Sequence, residues 1–343
     1  MQIVKRFGPV GGMEEYAYQL SIELSKMGHQ VVVICEKSYV NPSMDIFVVE
    51  TGFHRKPNWL AHYRFSRKVT EWLIENDSPH RVVHSHERQL DHNVTTFHTT
   101  PFGHGRGPFF RFLSLRNYFY EELERRELLG HQVRAIVPVS NKLGEMISSK
   151  HIGAKENLLG AIHPGVAAPK VKPKERVVSA DGGTIGFIGK EWERKGLPKV
   201  VQVWRDLKKV RPNLKLKVAG PLSKEVNHLF SSNEKNYELL GYVDDKPKFF
   251  ELIDILVHPA KLEAFGMVIT EALSFGVPVL CSSECGAAEV VGLNSGNVLS
   301  EECDSEEWAS SASYILAQTN NFTFTRSWAS CAEEYKKLYE LIS

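Results

Sequence analysis

Strand-like and helix-like segments alternate along almost the whole chain, and this alternation limits the possible folds more than any other feature. Short β-rich apolar runs such as QIVKRF (2–7) and VVVIC (31–35) are each followed by a turn and, in most cases, by a segment with helical spacing of apolar residues. This pattern is typical of parallel sheets with helices on both faces. It predicts an α/β fold with doubly wound parallel sheets.

The alternation stops between Pro164 and Gly183 and then starts again. This stretch collects three prolines, several lysines and a Gly-Gly pair, which is the composition of a linker. With 343 residues, the chain also exceeds what one hydrophobic core usually organises. We expect an N-terminal Rossmann-like domain at 1–165, a linker at 166–183, a C-terminal domain at 184–321 and a helical segment at 322–343 that packs back on the N-terminal domain.

The overall composition excludes some classes of protein. A formal net charge of +1 gives no general attraction to nucleic acid, so no nucleic-acid partner is expected. The five cysteines form no CxxC pair, as expected for reduced, cytosolic thiols. No apolar run approaches the ~20 residues of a transmembrane helix, and the N-terminus lacks the layout of a signal peptide. We expect a cytoplasmic protein that is soluble or peripherally attached to a membrane.

The most informative stretch is HPAKLEAFGMVITEALSFGVPVL at 258–280, where a polar loop and a helix lie between two buried strands. The helix is predicted to begin near Phe265 or Gly266, and its first N–H groups and its dipole would favour an anion such as phosphate. Glu263 before the helix and Glu271 inside it can accept hydrogen bonds from hydroxyls. Phosphate plus hydroxyls suggests a sugar nucleotide, although an ordinary strand and helix without a ligand would show similar residues.

Two further loops have glycines where a strand turns into a helix. GPVGG at 8–12 would let a ligand approach the backbone near Gly11 and Gly12. A dehydrogenase, with Glu36 as the ribose-binding acid, fits less well because the glycines do not follow GxGxxG. A tight turn without a ligand also remains open.

The second loop, GKEWERKG at 189–196, carries Lys190, Arg194 and Lys195. Cations at a helix N-terminus oppose the helix dipole, so they are unfavourable unless an anion lies among them. Since Arg and Lys both bind phosphate oxygens, the loop predicts a clamp for a diphosphate.

His98 ends the predicted strand VTTF, at the carboxyl edge where open α/β sheets bind ligands. A single histidine is more often structural, and the same holds for His84, His86, His104 and His163. No His, Cys or carboxylate spacing fits a metal site, and no GxSxG motif predicts a nucleophile. We therefore expect no metal.

Two segments mix basic and aromatic residues. Residues 53–72 interleave basic with aromatic side chains, namely Arg55, Lys56, Arg64, Arg67 and Lys68 with Trp59, Tyr63, Phe65 and Trp72. Residues 102–126 make a similar case with more acids. Such a mixture suits an anionic membrane surface or a phosphorylated acceptor. The alternative is a solvated helix with an aromatic core face.

These motifs together resemble glycosyltransferase family 4, over nearly the whole chain. The most specific is EAFGMVITE, in which seven residues separate Glu263 and Glu271, followed by GAAEVV at 286–291. GPVGG, the 189–196 loop, VAGP and GYVDD add to it, and the lipopolysaccharide core glycosyltransferases look closest. The resemblance implies a GT-B fold, with two Rossmann-like domains facing across a cleft, and retaining sugar transfer without a metal or other cofactor.

The resemblance also implies a role for each matching residue. Glu263 would bind hydroxyls of the donor sugar, and Glu271 the ribose hydroxyls. The backbone of Phe265, Gly266, Met267 and Val268 would hold the diphosphate and sugar, and Lys195 with Arg194 or Lys190 would neutralise the leaving phosphate. The backbone near Tyr242 and Val243 would contact the base. Gly11 and Gly12 would lie beside the phosphates, and His98 near the sugar. Glu263, Lys195, Arg194 and His98 are the expected catalytic residues.

The expected activity is transfer of a hexose, glucose or galactose, from a UDP-sugar to a lipopolysaccharide core or a related membrane-associated glycan or glycolipid. The enzyme would work on the cytoplasmic side of the inner membrane, with residues 53–72 and 102–126 as the membrane surface. The resemblance implies that the departing phosphate oxygen takes the acceptor proton, so no enzymatic base is needed. Two alternatives stay open, a small soluble acceptor and a nucleotide-sugar-binding protein without turnover.

Overall fold

The computed structural model describes residues 1–41, 45–53, 57–78, 81–104, 114–167, 177–318 and 322–342. The chain divides into two compact units. Unit 1 comprises Met1–Gly165 and Arg326–Ser343, and unit 2 comprises Val166–Thr325. The predicted linker falls largely on residues 168–176, which lie outside the described residues.

Unit 1 is built around a parallel sheet that has six strands within the described residues. Its elements are β1 (Gln2–Ile3), β2 (Arg6–Phe7), α1 (Gly12–Lys26), β3 (Val31–Cys35), β4 (Lys37–Ser38), β5 (Ile46–Glu50), α2 (Asn58–Glu75), β6 (His84–Ser85), β7 (Val94–Phe97), α3 (Leu115–Leu129), β8 (Ala135–Pro138), α4 (Asn141–Lys150) and a 3₁₀ turn (Ile152–Glu156). The strand order is β5-β3-β1-β6-β7-β8, with β2 and β4 paired separately. The order reverses between β1 and β6, which is the topological switch point of a doubly wound sheet.

Unit 2 repeats this plan. It contains β9 (Thr184–Ile188), α5 (Leu197–Lys208), β10 (Lys215–Ala219), α6 (Ser223–Val226), a 3₁₀ turn (Asn227–Leu229), β11 (Tyr237–Gly241), α7 (Lys246–Glu251), β12 (Ile255–His258), α8 (Met267–Ser274), β13 (Val279–Ser282), a 3₁₀ turn (Gly286–Val290), β14 (Gly296–Leu299) and α9 (Ser305–Ala317). The sheet order is β11-β10-β9-β12-β13-β14, and each pair is parallel. Its switch point lies between β9 and β12.

Both units bury apolar residues between sheet and helices. In unit 1, Ile3 and Ile34 on the sheet pack in one cluster with Phe65 and Val69 of α2. In unit 2, Trp204 of α5 and Trp308 of α9 are fully buried in the core beside the sheet. The predicted α/β fold with doubly wound parallel sheets is confirmed.

The last helix, α10 (Trp328–Ile342), belongs to unit 1. Trp328 packs edge-on against Tyr16 of α1 with 5.3 Å between ring centroids. The Tyr335 and Tyr16 hydroxyl oxygens lie 3.0 Å apart. The aromatic residues that gave this segment its helical spacing therefore face α1 and the unit 1 sheet.

Some predicted helix boundaries are wrong. The sequence pattern predicts a helix at 223–230, whereas the structure has a single turn, α6, followed by a 3₁₀ turn. The last helix begins at Trp328 instead of near Phe322. The sequence also predicts a long amphipathic segment at 109–129. The helix described there begins at Leu115, where Ser114 accepts a hydrogen bond from the N–H of Asn117, as N-cap residues do. Residues 109–113 lie outside the described residues. No helix in the described ranges is long and apolar enough to cross a membrane.

Candidate functional site

Two loops meet at the switch point of unit 2. The 189–196 loop follows β9, and the 259–266 loop follows the neighbouring strand β12. In parallel sheets the carboxyl ends of such strands lie at one edge, and ligands bind in the crevice there. The topology thus brings together the two loops whose residues the sequence singled out.

A carboxylate lies between two cations at this point. Arg194 donates from Nη1 to Oε2 of Glu263 at 3.0 Å, and Nζ of Lys195 lies 3.4 Å from the same oxygen. Arg194 also pairs with Glu191 at 2.5 Å and donates to the carbonyl of Leu262 at 2.5 Å. The Lys195 and Glu263 side chains are 18% and 16% exposed, so water screens their attraction only partly.

The cations of the 189–196 loop are balanced by carboxylates of the protein. The sequence predicts an anion among these cations, and in the structure Glu263 and Glu191 supply negative charge. Glu191 was not predicted. Lys190 is exposed, and no ion pair or hydrogen bond of its side chain is found within the described parts of the chain. In the structure, Arg194 and Lys195 therefore form ion pairs with Glu263, and Lys190 does not.

Glycines hold these loops close together. Gly196 has φ +82°, and a Cβ at this position would lie 2.2 Å from the carbonyl oxygen of Pro259. Gly266, the residue before α8, has φ +95°, a left-handed conformation that residues with a Cβ rarely adopt. A glycine at 266 therefore lets the 259–266 loop turn into α8 without backbone strain.

Replacing Gly266 by Ala should lower the free energy of unfolding by about 1–2 kcal/mol, because Ala is strained at positive φ. A Cβ there would also lie only 3.2 Å from Cγ of Glu263. Denaturant unfolding of the two variants measures the effect, with Gly292→Ala as the control, since a Cβ at Gly292 meets only Oγ of Ser295 at 3.7 Å. Equal unfolding free energies for both variants would contradict the strain at Gly266.

The GAAEVV motif acts as a support for the 259–266 loop. The N–H of Gly286 donates to the carbonyl of Glu263 at 3.0 Å, and the N–H of Ala287 donates to the carbonyl of Phe265 at 2.7 Å. The N–H of Glu263 in turn donates to Glu284 at 3.1 Å. These bonds fix the backbone of the loop on both sides of Glu263, which explains why the two motifs occur together.

Helix α8 begins at Met267, one residue after the predicted start. The N–H of Ile269 donates to the carbonyl of Gly266 at 2.9 Å, whereas Met267 and Val268 have no acceptor one turn earlier inside the helix. Among the residues that the structure describes, no side chain caps this end. The N–H groups of Met267 and Val268, with the positive end of the helix dipole, therefore remain available for an anion.

Glu271 has one paired and one unpaired oxygen. Lys246 donates to Oε1 at 2.6 Å, while Oε2 is buried and has no hydrogen-bond partner among the described residues. Leaving such an atom unpaired is costly, so its position suits a hydroxyl donor from a ligand.

Lys246 links Glu271 to the loop after β11. It is the first residue of α7 and follows Tyr242 and Val243, the positions expected near the base. The Tyr242 side chain is 74% exposed. Lys246 was missed because its partner lies 25 residues further along the chain, on another element.

His258, at the end of β12, is a second residue without a predicted role. It is fully buried, and both ring nitrogens lack a partner in the described part of the structure. Burial, with the nearby charges of Lys195 and Arg194, holds its pKa well below the ordinary value. The ring is therefore neutral beside the cationic loop.

In unit 1, Gly11 precedes α1 and Gly12 is its first residue. The carboxylate of Glu14 already lies against this helix start, since a Cβ at Gly11 would be 2.3 Å from its Oε2. Arg6 donates from Nε to Glu14 at 2.8 Å. A phosphate beside Gly11 and Gly12 would meet this carboxylate, and that role stays a prediction.

His98 directly follows β7 and is half-buried. Its Nε2 lies 2.9 Å from Nδ1 of His86, and burial lowers the pKa of His98 to about 3. The ring is thus neutral and hydrogen-bonded at the carboxyl edge of the unit 1 sheet.

The basic aromatic segments are only partly described. On α2, Phe65 is fully buried, while Arg67 and Lys68 both pair with Glu71 at the surface. Trp59 stacks on Phe119 of α3 at 4.3 Å. Residues 54–56 and 105–113 lie outside the described residues, so the membrane surface stays a prediction.

Within the residues that the structure describes, no group of three or more His, Cys, Asp or Glu side chains is placed to hold a metal ion.

Comparisons with known proteins place the chain in a family. The model of "Glycosyltransferase Family 4" matches residues 10–168, and that of "Glycosyl transferases group 1" matches residues 171–328. The chain is 27% identical over 172 residues to the capsular polysaccharide biosynthesis glycosyltransferase CapM of Staphylococcus aureus, which is 46% of this chain and 45% of CapM. It is 28% identical over 161 residues to the lipopolysaccharide glucosyltransferase WaaG of Escherichia coli K12, which is 46% of this chain and 42% of WaaG.

These alignments span about half the length of the curated relatives that they match. The fold comparison extends further. A crystal structure of WaaG, a glycosyltransferase involved in lipopolysaccharide biosynthesis, superposes with a TM-score of 0.79 at 19% identity and covers 100% of this chain and 99% of that one. The two family models together span nearly the whole sequence, and the chain belongs to glycosyltransferase family 4.

Proposed function

We propose that this protein is a retaining glycosyltransferase that moves a hexose, glucose or galactose, from a UDP-sugar to a lipopolysaccharide core or a related membrane-associated glycan. The names of its relatives CapM and WaaG support an acceptor of this class. One observation carries the proposal. At the switch point of unit 2, Glu263 lies beside Lys195 and Arg194 and precedes the uncapped N-terminus of α8. Glu271, with its unpaired oxygen, lies further along the same helix.

Each part of this arrangement matches one part of a nucleotide sugar. The buried Oε2 of Glu271 accepts from a ribose hydroxyl, which completes its hydrogen bonding. The N–H groups of Met267 and Val268 bind diphosphate oxygens. The exposed loop at Tyr242 and Val243 lies next to Lys246, the partner of Glu271, and is proposed to meet the base.

The diphosphate competes with Glu263 for the cations. A bound diphosphate carries more negative charge than one carboxylate. Lys195, with Arg194 or Lys190, therefore forms ion pairs with the phosphate oxygens when the donor binds. Glu263 then accepts hydrogen bonds from sugar hydroxyls. In this way the same cluster holds its charges balanced before and after the donor binds.

In the reaction, the bond between the anomeric carbon and the phosphate oxygen breaks, and the acceptor oxygen bonds to that carbon on the same face. The acceptor proton passes to the departing phosphate oxygen. The protein contributes positioning and stabilisation of the negative charge that develops on the leaving diphosphate. As the family resemblance implies, the proposal includes no metal.

A panel of nucleotides in a thermal-unfolding assay tests the proposal. UDP and the matching UDP-sugar should raise the melting temperature, since a ligand at 100 times its dissociation constant stabilises the folded state by about 2.7 kcal/mol. ADP- and GDP-sugars serve as controls for the base. The absence of a shift with every nucleotide sugar would contradict donor binding, and a shift without any release of UDP in the presence of glycan acceptors would indicate a binding protein without turnover.

A further inference from the structure

A chain of hydrogen bonds, the unit 1 relay, runs from the carbonyl of Ile162 to His98. Its members, in order from the carbonyl, are Tyr16, Tyr335, Thr96, His84, Tyr339, Gln2, His86 and His98. They come from α1, α10, β1, β6 and β7 and from the residues that follow β6 and β7. Apart from Tyr339 and His98, each member is at most 3% exposed, so water does not compete for these bonds.

The first part of the relay has no single direction. Tyr16 is the donor both to the carbonyl of Ile162 at 3.2 Å and to the Tyr335 oxygen at 3.0 Å, so its one hydrogen is shared between two acceptors. Thr96 Oγ1 lies 2.5 Å from the Tyr335 oxygen, and either atom can be the donor.

His84 connects Thr96 to Tyr339. Its Nε2 lies 2.7 Å from Oγ1 of Thr96, and its Nδ1 lies 2.5 Å from the Tyr339 oxygen. Burial keeps the ring neutral by lowering its pKa, so one ring nitrogen donates and the other accepts.

Gln2 sets the direction of the hydrogen bonds at His86 and His98, because its side-chain oxygen can only accept. Its Nε2 donates to the Tyr339 oxygen at 3.2 Å, which turns its Oε1 toward Nε2 of His86 at 2.9 Å. His86 therefore donates from Nε2, and because its buried ring is also neutral, its Nδ1 accepts. The partner of that Nδ1 is Nε2 of His98, at 2.9 Å.

The last member is thus held as the Nε2–H tautomer. Nδ1 of His98 is left unprotonated, and it has no hydrogen-bond partner among the described residues. The Tyr16 ring packs edge-on against the His98 ring, with 4.9 Å between centroids, and restricts its rotation.

We propose that Gln2 and His86 are positioning residues that hold His98 as the Nε2–H tautomer, so that Nδ1 accepts a hydrogen bond from a substrate hydroxyl. An unprotonated ring nitrogen cannot donate to a phosphate or carbonyl oxygen, so this position selects an O–H group. The identification of that hydroxyl with a sugar rests on the proposed function. His98 lies at the carboxyl edge of the unit 1 sheet, where such sheets bind ligands.

Nitrogen NMR of protein labelled with ¹⁵N-histidine tests the relay without any substrate, since protonated and unprotonated ring nitrogens give separate signals. The His98 signals are assigned by their loss in His98→Gln. We expect wild type and Gln2→Glu, which keeps an acceptor for His86, to show protonated Nε2 and unprotonated Nδ1. Gln2→Leu and Tyr339→Phe should mix the two tautomers of His98. Ser21→Ala, which removes a buried hydroxyl that bonds its own helix at Ala17, should not.

In the transfer assay, Gln2→Leu should lower kcat/KM for the donor by about tenfold, and Gln2→Glu should restore most of it. A wild-type His98 protonated at Nδ1, or an unchanged tautomer in both Gln2→Leu and Tyr339→Phe, would overturn the relay. Because the NMR result needs no turnover, the predicted tautomers combined with a failed transfer assay would overturn the proposed function and leave the relay standing.

Discussion

Replacing Lys195 by Met should lower the turnover of the nucleotide sugar by about 10²- to 10³-fold, the usual loss when one group that stabilises transition-state charge is removed. Negative charge grows on the diphosphate as the glycosidic bond breaks, and the Lys195 ammonium is the cation placed deepest in the cluster, at 18% exposure. The binding of UDP should weaken much less, since the same cation is attracted less strongly to the ground state.

Met is the suitable replacement because it keeps the aliphatic stem. That stem fills the space beside Gly189, where a Cβ would lie 2.3 Å from Cδ of Lys195. The matched control is Lys217→Met on β10, since Lys217 has the same 18% exposure and pairs with Glu238 away from the loops. UDP release is measured with the nucleotide sugar that gives the largest thermal shift. If Lys195→Met turned over about as fast as Lys217→Met, a cation other than Lys195 would stabilise the negative charge on the leaving diphosphate.

Much of the fold could be predicted because period-2 and helical patterns identify buried strands and helix faces locally. VVVIC and ILVH became β3 and β12, and their alternation with helices implied parallel pairing. Helix ends were less predictable. The start of α3 depends on one hydroxyl, that of Ser114, and α6 stops after one turn although its residues tolerate a helix. Single contacts of this kind leave little trace in the hydropathy pattern.

The candidate site was predictable to the same degree. Glu263 and Lys195 could be assigned to one donor site because their motifs resemble glycosyltransferase family 4. That their loops follow neighbouring strands at a switch point comes from the strand order in the structure. The sequence could not predict that Glu271 pairs with Lys246, or that Glu263 pairs with Arg194 and Lys195. Both pairings depend on contacts between side chains that are distant in the sequence.

The relay shows the same division. His84 and His86, and likewise Thr96 and His98, are two residues apart, so each pair lies on one face of its strand. Their polar partners Tyr335 and Tyr339 come from the far end of the chain, 239 and 255 residues away. The sequence predicted that the last helical segment packs back on the N-terminal domain, but not that its tyrosines complete the hydrogen bonds of these residues.

Replacing Glu271 by Gln should weaken the binding of UDP by about ten- to hundredfold. The buried Oε2 is proposed to accept from ribose, and hydrogen bonds to a charged group contribute about 1.5–3 kcal/mol. Gln keeps the shape of the side chain, so Lys246 retains an oxygen partner. The matched control is Glu234→Gln, a carboxylate of similar exposure, 18% against 19%, that pairs with Arg205 elsewhere in unit 2.

Calorimetric titration of UDP into the wild type, Glu271→Gln and Glu234→Gln tests whether the loop and helix from Glu263 to Glu271 bind the nucleotide part of a sugar donor. We expect UDP to bind the wild type and Glu234→Gln with nearly equal dissociation constants, and Glu271→Gln with a dissociation constant at least about tenfold higher. Wild-type affinity for UDP in Glu271→Gln, or no binding of UDP to the wild type, would contradict this binding role.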